Sequence, residues 1–244
     1  MEEPMTIPKV VHYCWFGRGE KPKIALKCLA SWSKRLPEYT FVEWTEDNFD
    51  INSNPYVREA YAARKYAFVS DYVRLHALYS QGGIYMDTDV EVLKPLDSFL
   101  THEAFSGFED ESFLQSGTMG AIKGHPWIRE LLDYYEGRSF IRPDGSYDTT
   151  TNTMVISQIC EKHGLTLNGQ FQLLSNGVAF YPREYFSPFD YINGGNYITD
   201  DSYTIHHFAQ SWLPLKARLK SQLKRRISRI IGVEGIAKIR KIFT

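Results

Sequence analysis

Residues 68–93 read FVSDYVRLHALYSQGGIYMDTDVEVL, and this stretch decides the fold. Phe68, Val69, Tyr72, Val73, Leu75, Leu78 and Tyr79 recur at helical spacing, and Gly82 and Gly83 follow where a left-handed C-cap ends a helix. The run Ile84-Tyr85-Met86 is short and apolar and stops at Asp87-Thr88-Asp89, after which Val90, Val92 and Leu93 resume an apolar pattern. This predicts a buried strand whose carboxyl end presents two acids, the place where ligands collect in open sheets of parallel type. Residues two apart in an extended chain point the same way, so Asp87 and Asp89 can approach one hard cation. A solvated turn would explain the acids alone. Asp71 and Arg74, three apart on one face of the preceding helix, make the combination of helix, Gly-Gly, strand and acids much rarer than the triplet.

Residues 71–97, with the preceding Ser70, resemble the sugar-binding region of the family 32 glycosyltransferases, the DXD-containing group of yeast mannosyltransferases and bacterial capsule enzymes, related to the clostridial glucosylating toxins. The likeness covers mainly residues 7–96 and returns at HHFAQSW, residues 206–212. It implies an α/β fold: a single GT-A type, Rossmann-like nucleotide-sugar-binding domain with a mixed central sheet. It implies a retaining transfer of a hexose from a nucleotide sugar, UDP-hexose as the expected donor, to a glycan or lipid-linked glycan hydroxyl. Asp71, Arg74, Asp87 and Asp89 become the catalytic set, and Trp15, Tyr85, Gln115, Ser211 and Trp212 join Asp71, Arg74 and Asp87 around the donor. Trp15 would stack on the base, unless it is a core aromatic. Gln115 would touch the sugar, unless it caps a turn.

The 244 residues, 43% of them hydrophobic, suffice for one domain of residues 1–213 and a tail of residues 214–244. Aromatic residues make up 15% of the chain, which suits both a packed core and a site that stacks bases and sugar rings. Cys14, Cys28 and Cys160 form no CxxC pair, so neither a disulfide framework nor a zinc knuckle is expected, and a reducing compartment is. The opening MEEPMTIPK has no apolar core of a signal peptide and no apolar run spans a bilayer, giving the expectation of a cytoplasmic protein. Residues 214–244 hold ten Lys or Arg against Glu234 alone, while the body is acidic. Leu215, Leu219, Leu223, Ile227, Ile230 and Ile231 step by three or four among those bases, predicting a basic amphipathic helix and then a shorter one. Contact with an anionic membrane surface, at the inner face of the cell membrane, is the expected use; docking on a partner or on the acidic body are the alternatives. No nucleic-acid partner is expected.

Elsewhere the pattern reads as strand over 9–16, helix over 22–35, strand over 39–44, a long helical pattern from 55 to 80 that breaks near Lys65, strand over 104–109, and helices over 127–135 and 150–163. Residues 138–149 read as a polar loop able to close over substrate, and residues 173–181 hold a strand. Residues 204–208 form a last strand carrying His206 and His207. Alternation sends the two rings to opposite faces, so one at most meets the metal; the family resemblance, through the spacing to the following Ser-Trp pair, implies His207 as third ligand beside Asp87 and Asp89. An imidazole favours Mn²⁺ over Mg²⁺. Two other functions compete: a haloacid-dehalogenase-like phosphatase, which expects Thr or Val where Glu91 stands, and a nucleotide-sugar-binding protein without turnover.

Overall fold

The computed structural model describes residues 6–190 and 195–209. The chain opens with β1 (Val10–Cys14), α1 (Lys23–Arg35) and β2 (Thr40–Trp44), with β2 parallel to β1 from Val10 opposite Thr40 to Cys14 opposite Trp44. The helical pattern that follows is two helices, α2 (Pro55–Ala62) and α3 (Tyr66–Gln81). Asn54 caps α2 by accepting from the Tyr56 and Val57 amides, and Pro55 takes the first helical position, where its missing N–H costs nothing. The two separate at Arg64, whose φ of 56° turns the chain out of the right-handed region. Gly82 ends α3 with φ 69°, a conformation that glycine adopts without strain.

The chain then enters β3 (Gly83–Met86), β4 (Val90–Val92), β5 (Ala104–Gly107), β6 (Thr118–Ala121), α4 (Pro126–Asp133), α5 (Asn152–Lys162), β7 (Gln172–Leu173), β8 (Val178–Tyr181), α6 (Arg183–Phe186) and β9 (Thr204–His206). Seven strands form one sheet in the order β2-β1-β3-β6-β5-β8-β7. It is mixed: β1 pairs in parallel with β2 and β3, and β5 with β8, while β6 runs against both β3 and β5. The small residues of Thr118–Ala121 form a strand that the sequence pattern does not announce. Strands β4 and β9 make a second, two-stranded antiparallel sheet, with Val90 opposite His206.

Period-two alternation explains why β3 is buried throughout. Tyr85 faces a core shared with α3, α4 and α5, while Ile84 and Met86 face a second core with Trp32, Phe99 and Phe105. Each large ring so buried contributes about 1.5–3 kcal/mol. Polar groups within the sheet are paired: Trp44 Nε1 donates to His12 Nδ1 at 3.2 Å, leaving His12 Nε2 to donate to the Gly82 carbonyl at 2.8 Å. Burial lowers the pKa of His12, in keeping with that neutral tautomer. Helix α1 is tied to the small sheet, with Trp32 Nε1 donating to the Val90 carbonyl and the Val92 amide to Ser31 Oγ. The three cysteines are buried thiols. Among the described residues no helix is long and apolar enough to cross a membrane. The basic stretch 214–244 lies outside the described residues.

Candidate active site

Strands β1, β3 and β5 all run in one direction, so their carboxyl ends deliver Trp15, Asp87 and Glu109 to the same edge of the sheet. A cavity of about 760 Å³ opens there, and Trp15, Asp71, Arg74, Tyr85, Asp87, Asp89, Glu109 and His206 all contribute to its wall. Helix α3 returns antiparallel to β3, which is why its middle, bearing Asp71 and Arg74, reaches the acids that follow the strand.

Arg74 is the centre of this wall. Its side chain is 5% exposed; Nη1 donates to the Ser116 carbonyl at 2.6 Å, Nη2 to Asp71 Oδ1 at 2.8 Å, and Nη1 lies 3.4 Å from Asp87 Oδ1. The guanidinium covers the Tyr85 ring at 4.6 Å, and the Tyr85 hydroxyl donates to Asp87 Oδ1 at 2.9 Å. Burying a cation costs several kcal/mol unless anions and carbonyls replace its water. Here burial works against the charge, and Asp87, Tyr85 and Asp71 outweigh it, so the pKa of Arg74 is raised. The donors of Arg74 are directed at protein groups, and it holds the acids that border the cavity. Burial pushes Asp71 up to about 6; Arg74 opposes this and Asp87 adds to it.

Asp89 and His206 form the second centre. His206 Nε2 lies 3.3 Å from Asp89 Oδ1 and 4.0 Å from Asp87 Oδ2, and the Ala209 amide donates to Asp89 Oδ2 at 2.7 Å. Burial opposes charge on both partners, but for His206 the attraction of Asp89 and Asp87 wins and lifts it to about 9. For Asp89, burial is outweighed by His206 and the Ala209 amide, which hold it down at about 2. Asp87, Asp89 and His206 each present a ligand atom within 4.8 Å of the others. Ligands about 2.0–2.2 Å from an ion stand about 3 Å apart at right angles and just over 4 Å apart when opposed. The observed separations require a small contraction, and two carboxylates with one imidazole suit Mn²⁺.

The choice of His207 is corrected. Its Nε2 lies 2.8 Å from Glu91 Oε2, which also takes Lys27 Nζ at 2.6 Å. Alternation does separate the two histidines, but it is His206 that faces the acids, its ring stacked on Phe208 at 4.0 Å. A Cβ at Gly117 would stand 3.0 Å from His206 Nδ1, so the glycine admits the ring. Gln115 is also corrected. It is 1% exposed, and its amide is spent on Ser106, on the Thr118 carbonyl and on the Thr118 amide at 2.8 Å, closing the turn before β6. Trp15 lines the cavity with its indole pinned by Nε1 donating to the Gly19 carbonyl at 2.6 Å. Ser211 and Trp212 lie outside the described residues.

Two residues in the wall escape the sequence reading. Asn152, at the start of α5, is 4% exposed and neither its Oδ1 nor its Nδ2 has a hydrogen-bond partner, although it borders the cavity. Glu109 sits past β5, and burial raises it to about 7 despite the opposing charge of His206. The signal for Glu109 was the one used for Asp87, an acid closing a strand pattern. That for Asn152 was only a polar run ahead of a helix.

Residues 22–106 match the glycosyltransferase sugar-binding region containing a DXD motif. The chain is 31% identical over 131 residues to inositol phosphoceramide mannosyltransferase 3 of Schizosaccharomyces pombe, covering 52% of this chain and 36% of that protein. It is 24% identical over 210 residues to a mannosyl phosphorylinositol ceramide synthase of Saccharomyces cerevisiae, covering 82% of this chain and 55% of that one. The chain thus spans about a third to about half of the length of these relatives. Among solved structures, the PaToxG glycosyltransferase superposes with a TM-score of 0.52 at 20% identity, over 65% of this chain and 70% of that one, which establishes the GT-A type fold. The chain is thus similar, over residues 22–106, to the sugar-binding region of the DXD-containing glycosyltransferases.

Proposed function

We propose that this protein is a metal-dependent glycosyltransferase that moves a hexose from a nucleoside diphosphate sugar to a hydroxyl of a glycan, with retention at the anomeric carbon. The observation that carries the reading is the convergence of Asp87, Asp89 and His206 on one point of a cavity that Trp15 also lines. A divalent cation held there, Mn²⁺ by preference, supplies positive charge against the leaving diphosphate. Trp15 offers a π-face for the base. Asp71, fixed by Arg74, accepts from sugar hydroxyls, and the unpaired amide of Asn152 is a further partner for the sugar. Such positioning converts an encounter into an oriented reaction.

UDP-hexose is the expected donor; the mannosyltransferase names of the relatives make GDP-mannose the other donor to test. The acceptor is a glycan or lipid-linked glycan, as in surface polysaccharide synthesis, and the basic stretch 214–244 suits an anionic membrane at the cytoplasmic face. Liposome flotation with and without that stretch tests this part. A dehalogenase-like phosphatase needs Asp87 as a free nucleophile, whereas here its carboxylate takes the Tyr85 hydroxyl and Glu91 pairs with Lys27 and His207. A panel of UDP- and GDP-sugars with Mn²⁺, read as nucleotide release with and without glycan, tests the reading. One donor turning over in wild type and none in Asp89→Ala supports transfer. Binding of nucleotide without release from any donor favours the non-catalytic alternative.

A further inference from the structure

Asn152 does not reach the cavity by itself; a strap of the chain, residues 138–151, brings it there. The strap is docked on the elbow between α2 and α3. The Ile141 amide donates to Glu59 Oε2 at 2.9 Å, Phe140 is buried against Tyr56 and Phe68, Tyr147 stacks on Phe140 at 5.2 Å, and Lys65 Nζ lies 5.6 Å from the Tyr147 ring centre. At its end stands Asp148, a carboxylate 8% exposed. It accepts from Arg138 Nη2 at 3.0 Å, from Arg142 Nη2 at 3.1 Å, and from the Thr150 amide and hydroxyl at 3.2 and 2.7 Å. Arg138 is itself laid on the Tyr134 ring at 4.1 Å. Two residues beyond Thr150, Asn152 borders the cavity, and its amide is buried just behind the wall without a hydrogen-bond partner.

Thr151, the N-cap of α5, makes no side-chain cap bond, so this helix start is not set by the usual device. The bonds that define the lead-in to α5 end on Asp148. A buried amide left without partners costs free energy, and is retained where a ligand completes it.

We propose that Asp148 is a positioning residue for the donor: by gathering Arg138, Arg142 and Thr150 it holds the strap so that the Asn152 amide is presented to the sugar of the nucleotide sugar. This rests on the nucleotide-sugar reading above. Asp148 touches no substrate, and its effect is confined to the part of donor affinity that the hexose supplies.

The test is calorimetric titration of UDP, UDP-glucose, GDP and GDP-mannose in Mn²⁺, using wild type, Asp148→Ala, Asp148→Asn, Asn152→Ala and the Asp148→Ala/Asn152→Ala double variant, each first checked for folding by thermal melting. Wild type is expected to bind one sugar nucleotide more tightly than its bare nucleotide. Asp148→Ala should lose that increment, about tenfold, with the bare nucleotide unchanged, as expected for one or two misplaced hydrogen bonds. Asp148→Asn, which keeps an acceptor for Thr150 should Asp148→Ala fail to fold, should lose part of it. The double variant should be no worse than Asn152→Ala, the signature of two residues acting as one. Equal weakening of bare and sugar nucleotides, no change in either, or additive losses in the double variant would each overturn the proposal. Absence of Mn²⁺-dependent nucleotide binding in wild type instead removes the underlying reading, and this inference with it.

Discussion

At the scale of single residues, the site is a set of charges that hold one another. Arg74 supports Asp71 and Asp87 from within the protein. Truncating it strands two carboxylates, and breaking a buried pair costs about 3–5 kcal/mol. Chemical denaturation of Arg74→Ala should show a loss of that order; a change in donor KM with stability intact would mean that the guanidinium serves the sugar directly. The two histidines separate cleanly. His206→Ala should weaken Mn²⁺ binding tenfold or more while His207→Ala leaves it near wild type, as read by electron paramagnetic resonance titration, and the reverse order would restore His207 as ligand. Glu109 supplies a pH dependence. Its carboxyl rises from 4.5 to about 7 on folding, so the folded protein binds more protons than the unfolded chain between those values. The stability it permits is full below about 4.5 and is lost as pH rises through about 7. Glu109→Gln should therefore melt higher than wild type at pH 8 and close to it at pH 4.5; a variant that melts lower at pH 8 would show that the charged form is stabilising.

At the scale of elements, helix α3, Gly82 and strand β3 form the unit on which the site is built. Gly82 combines φ 69° with a backbone approach that would place a Cβ 2.7 Å from the Lys123 amide nitrogen. Gly82→Ala should cost at least about 1–3 kcal/mol, measured as a lower melting temperature with metal affinity reduced alongside; a neutral effect would show that the turn relaxes freely. This unit was legible in sequence because its evidence is local: apolar spacing, two glycines, a short apolar run and two acids within 26 consecutive residues. Strand β6 was not, because Thr118–Ala121 carries small residues whose strand character comes from lying between β3 and β5. The pairing of β4 with β9 joins residues more than a hundred positions apart, and the face presented by His206 follows from that pairing and not from its own neighbourhood. Sequence alternation said that the two histidines part company; it carried no information on which side the acids would be.

At the scale of the molecule, the mixed sheet gathers three strand ends and three helix starts around one cavity. Asp87 and Glu109 follow strands separated by β6, two strand spacings or about 10 Å apart, which leaves room for a sugar between them. The fold class was legible because β-α-β order and the family likeness agree. Residues whose place depends on what they touch were not: Gln115 turned inward to close a turn, while Asn152 came to the cavity wall at the start of α5. The most direct measurement is anomalous diffraction from crystals grown with Mn²⁺ and a nucleoside diphosphate. The predicted result is one manganese peak within bonding distance of Asp87, Asp89 and His206, with the base on Trp15. A peak at Glu91 and His207, or nucleotide bound away from these acids with no metal beside it, would contradict the account.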